Sequence, residues 1–221
     1  MAQSNPLPDS AKLYNRGILR LYDAYVLGFS NTFAWQCPTR DLLAHYHAHA
    51  GKRHLDIGPG SGYFLDRCRF PDTNPEIHLL DINEVPLQNS AERIRRYQPH
   101  IHVGDIYTPP PSVQGPFQSI GINYVLHCLP GTLQEKGEPF FKQWIPQLDP
   151  DNGRIFGSTI LGKGIPHNPL GRALMKLYNE KGIFGNEWDH PDDLERLLKT
   201  WFVRHTLEIR GCVAIFAGFV Q

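Results

Sequence analysis

Cysteine is scarce and badly placed for cross-linking: four occur in 221 residues, at positions 37, 68, 128 and 212, with no CxxC pair among them. Neither a zinc knuckle nor a disulfide framework is expected, and this usage suits a reducing cytosol. An excess of either charge is also missing. Lys plus Arg total 22 and Asp plus Glu total 22, a formal balance of zero. That argues against nucleic acid as a main partner, because neutralising a run of phosphates needs a basic face. The tightest basic group, Arg93, Arg95 and Arg96, stands beside Glu92 and reads as a solvated helix face. No apolar run approaches the roughly 18 residues of a membrane span, and Met1-Ala2-Gln3-Ser4-Asn5-Pro6 lacks the basic and apolar parts of a secretion signal. There is no internal repeat. The one biased stretch, Tyr107 to Ser112, carries three consecutive prolines and reads as a stiff extended loop.

Histidine is plentiful, at 11 residues. His45, His47 and His49 stand close together, but on a helix only His45 and His49 share a face and no carboxylate adjoins them. They read as surface histidines, and no metal is expected.

The first fifty residues look helical. Tyr14, Ile18, Leu21, Tyr22 and Tyr25 recur at helical spacing, Gly28 and Ser30 read as a break, and a second helix is expected from Thr39, as its N-cap, toward His49. After Gly51 the pattern changes to short apolar runs between amphipathic stretches. His54–Ile57, Ile77–Leu80, Ile101–Val103, Ile120–Val125 and Arg154–Ser158 are strand-like in length and composition, with helices expected over Gly62–Cys68, Val85–Tyr97 and Phe140–Leu148. Such alternation implies right-handed crossovers and a mostly parallel sheet covered by helices on both faces. The carboxyl end breaks the rhythm: a helix over Pro191–Thr200 is followed by the runs Trp201–Glu208 and Cys212–Phe219, whose short connection fits an antiparallel hairpin. The expected fold is an α/β, Rossmann-like, seven-stranded mostly parallel sheet ending in an antiparallel hairpin, with an N-terminal helical lid.

Asp56-Ile57-Gly58-Pro59-Gly60-Ser61-Gly62 follows the first strand and opens the first sheet helix. Glycines at alternate positions permit a tight strand-to-helix turn and close approach of a ligand to the backbone. The spacing is DxGxGxG, not the GxGxxG of dinucleotide enzymes, and the lysine of a phosphate-cradling loop is absent. Asp81 closes the second strand, where an acid can accept both hydroxyls of a ribose. Asp105 ends the third, where a carboxylate can accept from an adenine amino group while Ile82 and Ile106 sandwich the base.

The series DIGPGSG, LLDIN, HVGDIY and GINYVLH, in that order and spacing, resembles the class I S-adenosylmethionine-dependent methyltransferases. The resemblance covers about residues 53 to 221, terminal hairpin included. It implies that Asp56, Gly58, Pro59, Gly60 and Gly62 hold the methionine part of S-adenosylmethionine, that Asp81 and Ile82 hold the ribose side, that Asp105 and Ile106 meet the adenine, and that the backbone at Asn123 and Tyr124 meets the cofactor's amino group. S-adenosylhomocysteine would be the product.

Methyl transfer from a sulfonium is an in-line displacement that depends chiefly on holding nucleophile and methyl about 3 to 3.5 Å apart. Where the acceptor is a phenol, acid or amine, a histidine suits the role of base. His127 is the candidate, because it follows the fourth strand where acceptors sit in this fold; His167 and Asn168 are weaker. The expected division is a lid over residues 1–50 and a cofactor domain over 51–221, with a substrate-side insertion at about 162–189. Tyr14, Tyr22, Tyr25, Phe33 and Trp35 of the leader, and Leu170, Met175, Tyr178, Phe184 and Trp188 of the insertion, suit a cover over a small, partly apolar acceptor. The expected function is methyl transfer to a small molecule, in specialised metabolism, by a cytoplasmic monomer or homodimer with no membrane partner. The alternatives are a cyclase or pericyclase that binds S-adenosylmethionine without transferring methyl, and a protein or RNA methyltransferase. Asn123-Tyr124-Val125-Leu126 departs from the NPPY pattern of base and amide methylation.

Overall fold

A computed structural model describes residues 23–221, and side chains from residue 28 onward. Tyr14 and Tyr22, and the Tyr25 side chain, lie outside the described residues. Seven strands form one sheet: β1 Arg53–Ile57, β2 Glu76–Asp81, β3 His100–Val103, β4 Ser119–Asn123, β5 Arg154–Ile160, β6 Arg204–Arg210 and β7 Val213–Phe219. Their order is β3-β2-β1-β4-β5-β7-β6. β1 to β5 pair in parallel, while β7 runs antiparallel to both β5 and β6. The order reverses beside β1, so β1 and β4 diverge to their crossovers and leave a crevice at their carboxyl ends, where ligands bind in open α/β sheets.

The helices are α1 Thr39–His49, α2 Tyr63–Arg67, α3 Glu84–Arg93, α4 Leu133–Trp144, α5 Pro169–Glu180 and α6 Pro191–Trp201. Alternation along the strands decides which helix covers which face. Ile77 and Leu79 of β2 point toward Tyr46 of α1, Leu65 of α2 and Leu87 of α3. Leu55, Ile57 and Leu80 point the other way, into a core shared with Phe140, Phe141 and Trp144 of α4 and with Leu194, Leu197 and Leu198 of α6. A third cluster joins Ala34, Trp35 and Leu42 to Leu174, Met175, Ile160 and Val213, so the leader and the insertion meet above the ends of β5 and β7.

Several expected boundaries moved for identifiable reasons. A π-helical segment, Asp23–Ala34, runs straight through Gly28 and Ser30, so these residues do not break the leader. Thr39 is the first residue of α1 and not its cap; Pro38 holds that place, and the Thr39 hydroxyl accepts from Asn31 Nδ2 at 2.9 Å. α4 begins seven residues before Phe140, at Leu133, behind a capping box in which Thr132 and Glu135 satisfy each other's backbone N–H groups. Gly137 and Pro139 obscure that start in the sequence. β4 stops at Asn123 because Tyr124 turns left-handed, with φ of 59°. The basic group is not simply solvated: Arg93 and Arg96 both bind Asp66, tying α3 to α2.

Candidate functional site

The glycine loop is built by conformation. Gly58, Gly60 and Gly62 have φ of 66°, 57° and 74°, a region that costs an L side chain energy. A Cβ on Gly58 would stand 2.3 Å from a Val125 methyl, so the loop lies against the β4 exit with no room between them. A Cβ on Gly60 would meet nothing within 4 Å, so that backbone borders open space. The loop is also held from below: Gly58 N–H donates to Leu80 O at 2.8 Å and Ser90 Oγ donates to Gly60 O at 3.0 Å. The pocket above is lined by Asp56, Gly58, Pro59, Gly60, Asn123 and Tyr124, among others.

Asp56 is buried, at 4% exposure, and its Oδ2 accepts a hydrogen bond from Tyr46 Oη. Tyr46 Oη in turn lies 2.8 Å from His54 Nε2, and His54 Nδ1 lies 2.8 Å from Ser119 Oγ. Two-residue alternation puts His54 and Asp56 on the same face of β1, under α1. A helix of the leader thereby fixes the first acid of the glycine motif, and burial beside Asp56 pushes the Tyr46 phenol well above its usual range.

Asp81 ends β2 half-buried. Its Oδ1 accepts from Asn83 N–H at 2.8 Å, and burial raises its carboxyl to about 6 because these backbone donors only partly offset desolvation. Ile82 beside it is half-buried. Asp105 Oδ1 accepts from Tyr107 N–H at 2.7 Å. Ile106 sits deeper than a residue free to sandwich a base: it belongs to the core below, and its carbonyl accepts from Trp144 Nε1 at 2.8 Å. Asn123 Oδ1 accepts from Ser158 Oγ at 3.0 Å, while its Nδ2 is buried without a hydrogen-bond partner beside the pocket. Tyr124 reaches back to the leader, its hydroxyl donating to Asn31 Oδ1 at 2.9 Å.

His127 does not present a free basic nitrogen. The ring is buried under Phe184 and Tyr124, and its Nδ1 accepts from Ile160 N–H at 3.3 Å. Burial and the nearby Lys136 push its pKa down to about 3. A neutral ring that accepts at Nδ1 carries its proton on Nε2, so it has no free lone pair with which to take up a proton. This corrects the expected role of base.

His167 is half-buried in the loop before α5, with burial lowering its pKa. Asn168 caps α5 through Gly171 N–H at 2.7 Å and donates to Phe33 O at 2.7 Å. Trp35, expected in the cover, is instead a core residue at 2% exposure, whose carbonyl accepts from Cys212 N–H. Among the described residues, Phe29, Phe33 and Trp188 are the exposed aromatics of the leader and insertion.

Sequence reasoning missed the partners that hold these groups. Tyr46 and Asn31 belong to the leader, and Lys136 and Asp189 form an ion pair at 2.8 Å with both side chains fully buried. Lys136 Nζ also donates to the carbonyls of Leu129 and Gly185 at 3.3 and 3.1 Å, clamping the loop after β4 to the end of the insertion. The closely spaced histidines are internally satisfied: His45 Nε2 bonds Phe216 O, His49 Nδ1 bonds His45 O, and His47 Nδ1 accepts from Arg69 N–H. All four cysteines are unpaired. Among the described residues no helix is long and apolar enough to cross a membrane.

No family model matches the chain. It is 36% identical over 206 residues to demethylluteothin O-methyltransferase of Streptomyces thioluteus, covering 93% of this chain and 89% of that protein. It is 36% identical over 223 residues to methyltransferase verB of Penicillium polonicum, covering 95% and 97%. Among solved structures, the DhpI–SAH complex superposes with a TM-score of 0.67 at 13% identity, covering 97% of each chain. Human N-acetylserotonin methyltransferase in complex with SAM gives 0.62 at 18% identity, covering 91% of this chain and 55% of that one.

Proposed function

The chain belongs to the class I S-adenosylmethionine-dependent methyltransferases, and from that premise we propose that the atom it methylates is a hydroxyl oxygen of a specialised metabolite. It is an enzyme that transfers methyl to a small-molecule acceptor. The observation that carries the oxygen reading is the near full-length likeness to relatives named as O-methyltransferases, among them that of the physcion biosynthesis cluster of Aspergillus chevalieri, at 31% identity over 218 residues. The zero formal charge supports a small acceptor over nucleic acid. Cytosolic placement fits the four unpaired thiols.

The residues fit S-adenosylmethionine on three observations: a left-handed glycine loop open at Gly60, an unpartnered Asn123 Nδ2 beside it, and acids at the end of β2 and two residues past the end of β3. In the proposed arrangement Asp56, Gly58, Pro59, Gly60 and Gly62 hold the methionine end with Asn123 and Tyr124, Asp81 takes the ribose hydroxyls, and Asp105 the adenine. When bound, the cofactor supplies an activated methyl on a sulfonium. The chain's part is to orient the acceptor in line with that methyl and exclude water. With no proton acceptor at His127, catalysis rests on positioning. Phe33, Tyr178 and Phe184 form part of an apolar cover. The lid formed by residues 1–50 and the insertion at 162–189 are proposed to choose the acceptor.

Ribose hydroxyls donate to an ionised Asp81 and lose that acceptor when it is protonated. Affinity for S-adenosylmethionine is therefore expected to be level above about pH 7 and to fall as pH drops through about 6. Calorimetric titrations between pH 5 and 8 check this; equal affinity across the range removes Asp81 from the ribose contact. The oxygen reading is tested by comparing metabolites of cells with and without the gene. A product heavier by one methyl in place of a hydroxyl hydrogen supports it, and a methyl found on carbon, nitrogen or sulfur refutes it.

A further inference from the structure

The group of side chains with metal-ligand spacing lies not among the histidines close in sequence but on the β2–β3 edge. We propose that Glu76, His78 and His100 form a binding site for one divalent transition-metal ion of the zinc class, with His102 orienting His78 from behind. Glu76-Ile77-His78 and His100-Ile101-His102 lie on neighbouring parallel strands, in register His78 opposite His100. Side chains two apart share a face, so all four polar groups project to one side of the sheet edge. One ligand atom each from Glu76, His78 and His100 lies within 4.8 Å of the others.

Two imidazoles and a carboxylate are a donor set that zinc, copper and nickel favour over magnesium or calcium. Zinc held at about 2.1 Å spaces neighbouring donors by roughly 3.4 Å. Closing the gap needs a shift of about an ångström, and Glu76 and His100 are exposed and free to make it. His78 is buried and already aimed, its Nε2 lying 2.9 Å from Glu76 Oε1.

The supporting shell argues most strongly for a ligand. His78 Nδ1 lies 3.0 Å from His102 Nε2, and His102 Nδ1 lies 2.9 Å from Ser112 Oγ. With the proton of each ring on Nδ1, His78 donates to His102 and His102 donates to Ser112, which leaves the His78 Nε2 lone pair for a cation. A metal-ligating histidine characteristically donates its second nitrogen in this way. Reaching that tautomer moves protons along the chain without adding or removing one. Arg53 is the competitor, with Nε 3.0 Å from Glu76 Oε1. It also donates to the carbonyls of Pro116 and Gln114, which it keeps when Glu76 turns to a cation. A guanidinium so close holds the affinity in the micromolar range. Glu76 opens β2 and Asp81 closes it, so the site stands at the opposite end of the strand from the cofactor crevice.

Zinc chloride titrated calorimetrically into chelator-treated wild type is expected to bind one ion per chain with micromolar affinity. Glu76→Gln and His100→Ala alter exposed side chains, keep the fold and the affinity for S-adenosylmethionine, and each weaken zinc by about 30-fold; His102→Ala weakens it by about 10-fold. His49→Ala leaves zinc binding unchanged. Absence of a binding heat, zinc binding that survives both exposed substitutions, or binding lost in His49→Ala overturns the site.

Discussion

Asp81→Asn is expected to weaken S-adenosylmethionine binding at least about 100-fold while making the cofactor-free protein more stable. Two hydroxyls donating to a carboxylate contribute about 1.5 kcal/mol or more each, and about 1.4 kcal/mol is tenfold in affinity. The stability gain follows from the same burial. A carboxyl raised from 3.8 to about 6 binds its proton more tightly folded than unfolded. Its contribution to stability is therefore full below about pH 4 and lost as pH rises through about 6. At pH 7 the buried charge costs the empty protein of order 1–2 kcal/mol after allowance for its partial exposure. Asparagine keeps the oxygen that accepts from Asn83 N–H and removes the charge. Melting of the cofactor-free variant is expected about 3–6 °C above wild type. Unchanged cofactor affinity sinks the ribose assignment, and a lower melting temperature sinks the account of the charge.

Lys136→Met is expected to destabilise the protein by about 3–5 kcal/mol, the cost of leaving one partner of a buried pair uncompensated. The methionine fills the space of the stem, but Asp189 keeps a carboxylate with no counter-ion, and the carbonyls of Leu129 and Gly185 lose their donor. Asp189→Asn in the same chain removes the stranded charge and is expected to restore more than half of the loss. Urea unfolding of the single and double variants measures both. A single-variant loss under about 1 kcal/mol, or no recovery in the double, means the pair does not hold these loops. Because the clamp joins the loop after β4 to the end of the insertion, the single variant is also expected to raise KM for the acceptor more than for S-adenosylmethionine.

What the sequence made legible was whatever repeats at short range. Strand-like runs alternating with amphipathic stretches specify the doubly wound sheet, and the short connection at Gly211 specifies the hairpin. The acids at positions 56, 81 and 105 were readable because each stands at or within two residues of a strand's carboxyl end, in register with the glycine loop. Contacts between distant segments were not. Tyr124 meets Asn31 across 93 residues, and Lys136 of α4 reaches Asp189 in the loop before α6. Nothing in local spacing pairs these residues. Trp35 and His127 look functional in the sequence because an aromatic or imidazole near a site suits a role there, whereas burial and hydrogen bonds place both in the core. The alternating Glu76, His78, His100 and His102 were visible as strand residues, but only the β2–β3 pairing brings them together.

The chemistry assigned to this protein is methyl transfer, as opposed to cofactor binding without it. The most direct test incubates the purified protein with S-adenosylmethionine and the acceptor identified from cells, then counts S-adenosylhomocysteine and methylated product together. One S-adenosylhomocysteine is expected for each product, with both formed about tenfold more slowly by Asp81→Asn at a cofactor concentration about ten times the wild-type Kd. Product that accumulates without S-adenosylhomocysteine would contradict methyl transfer.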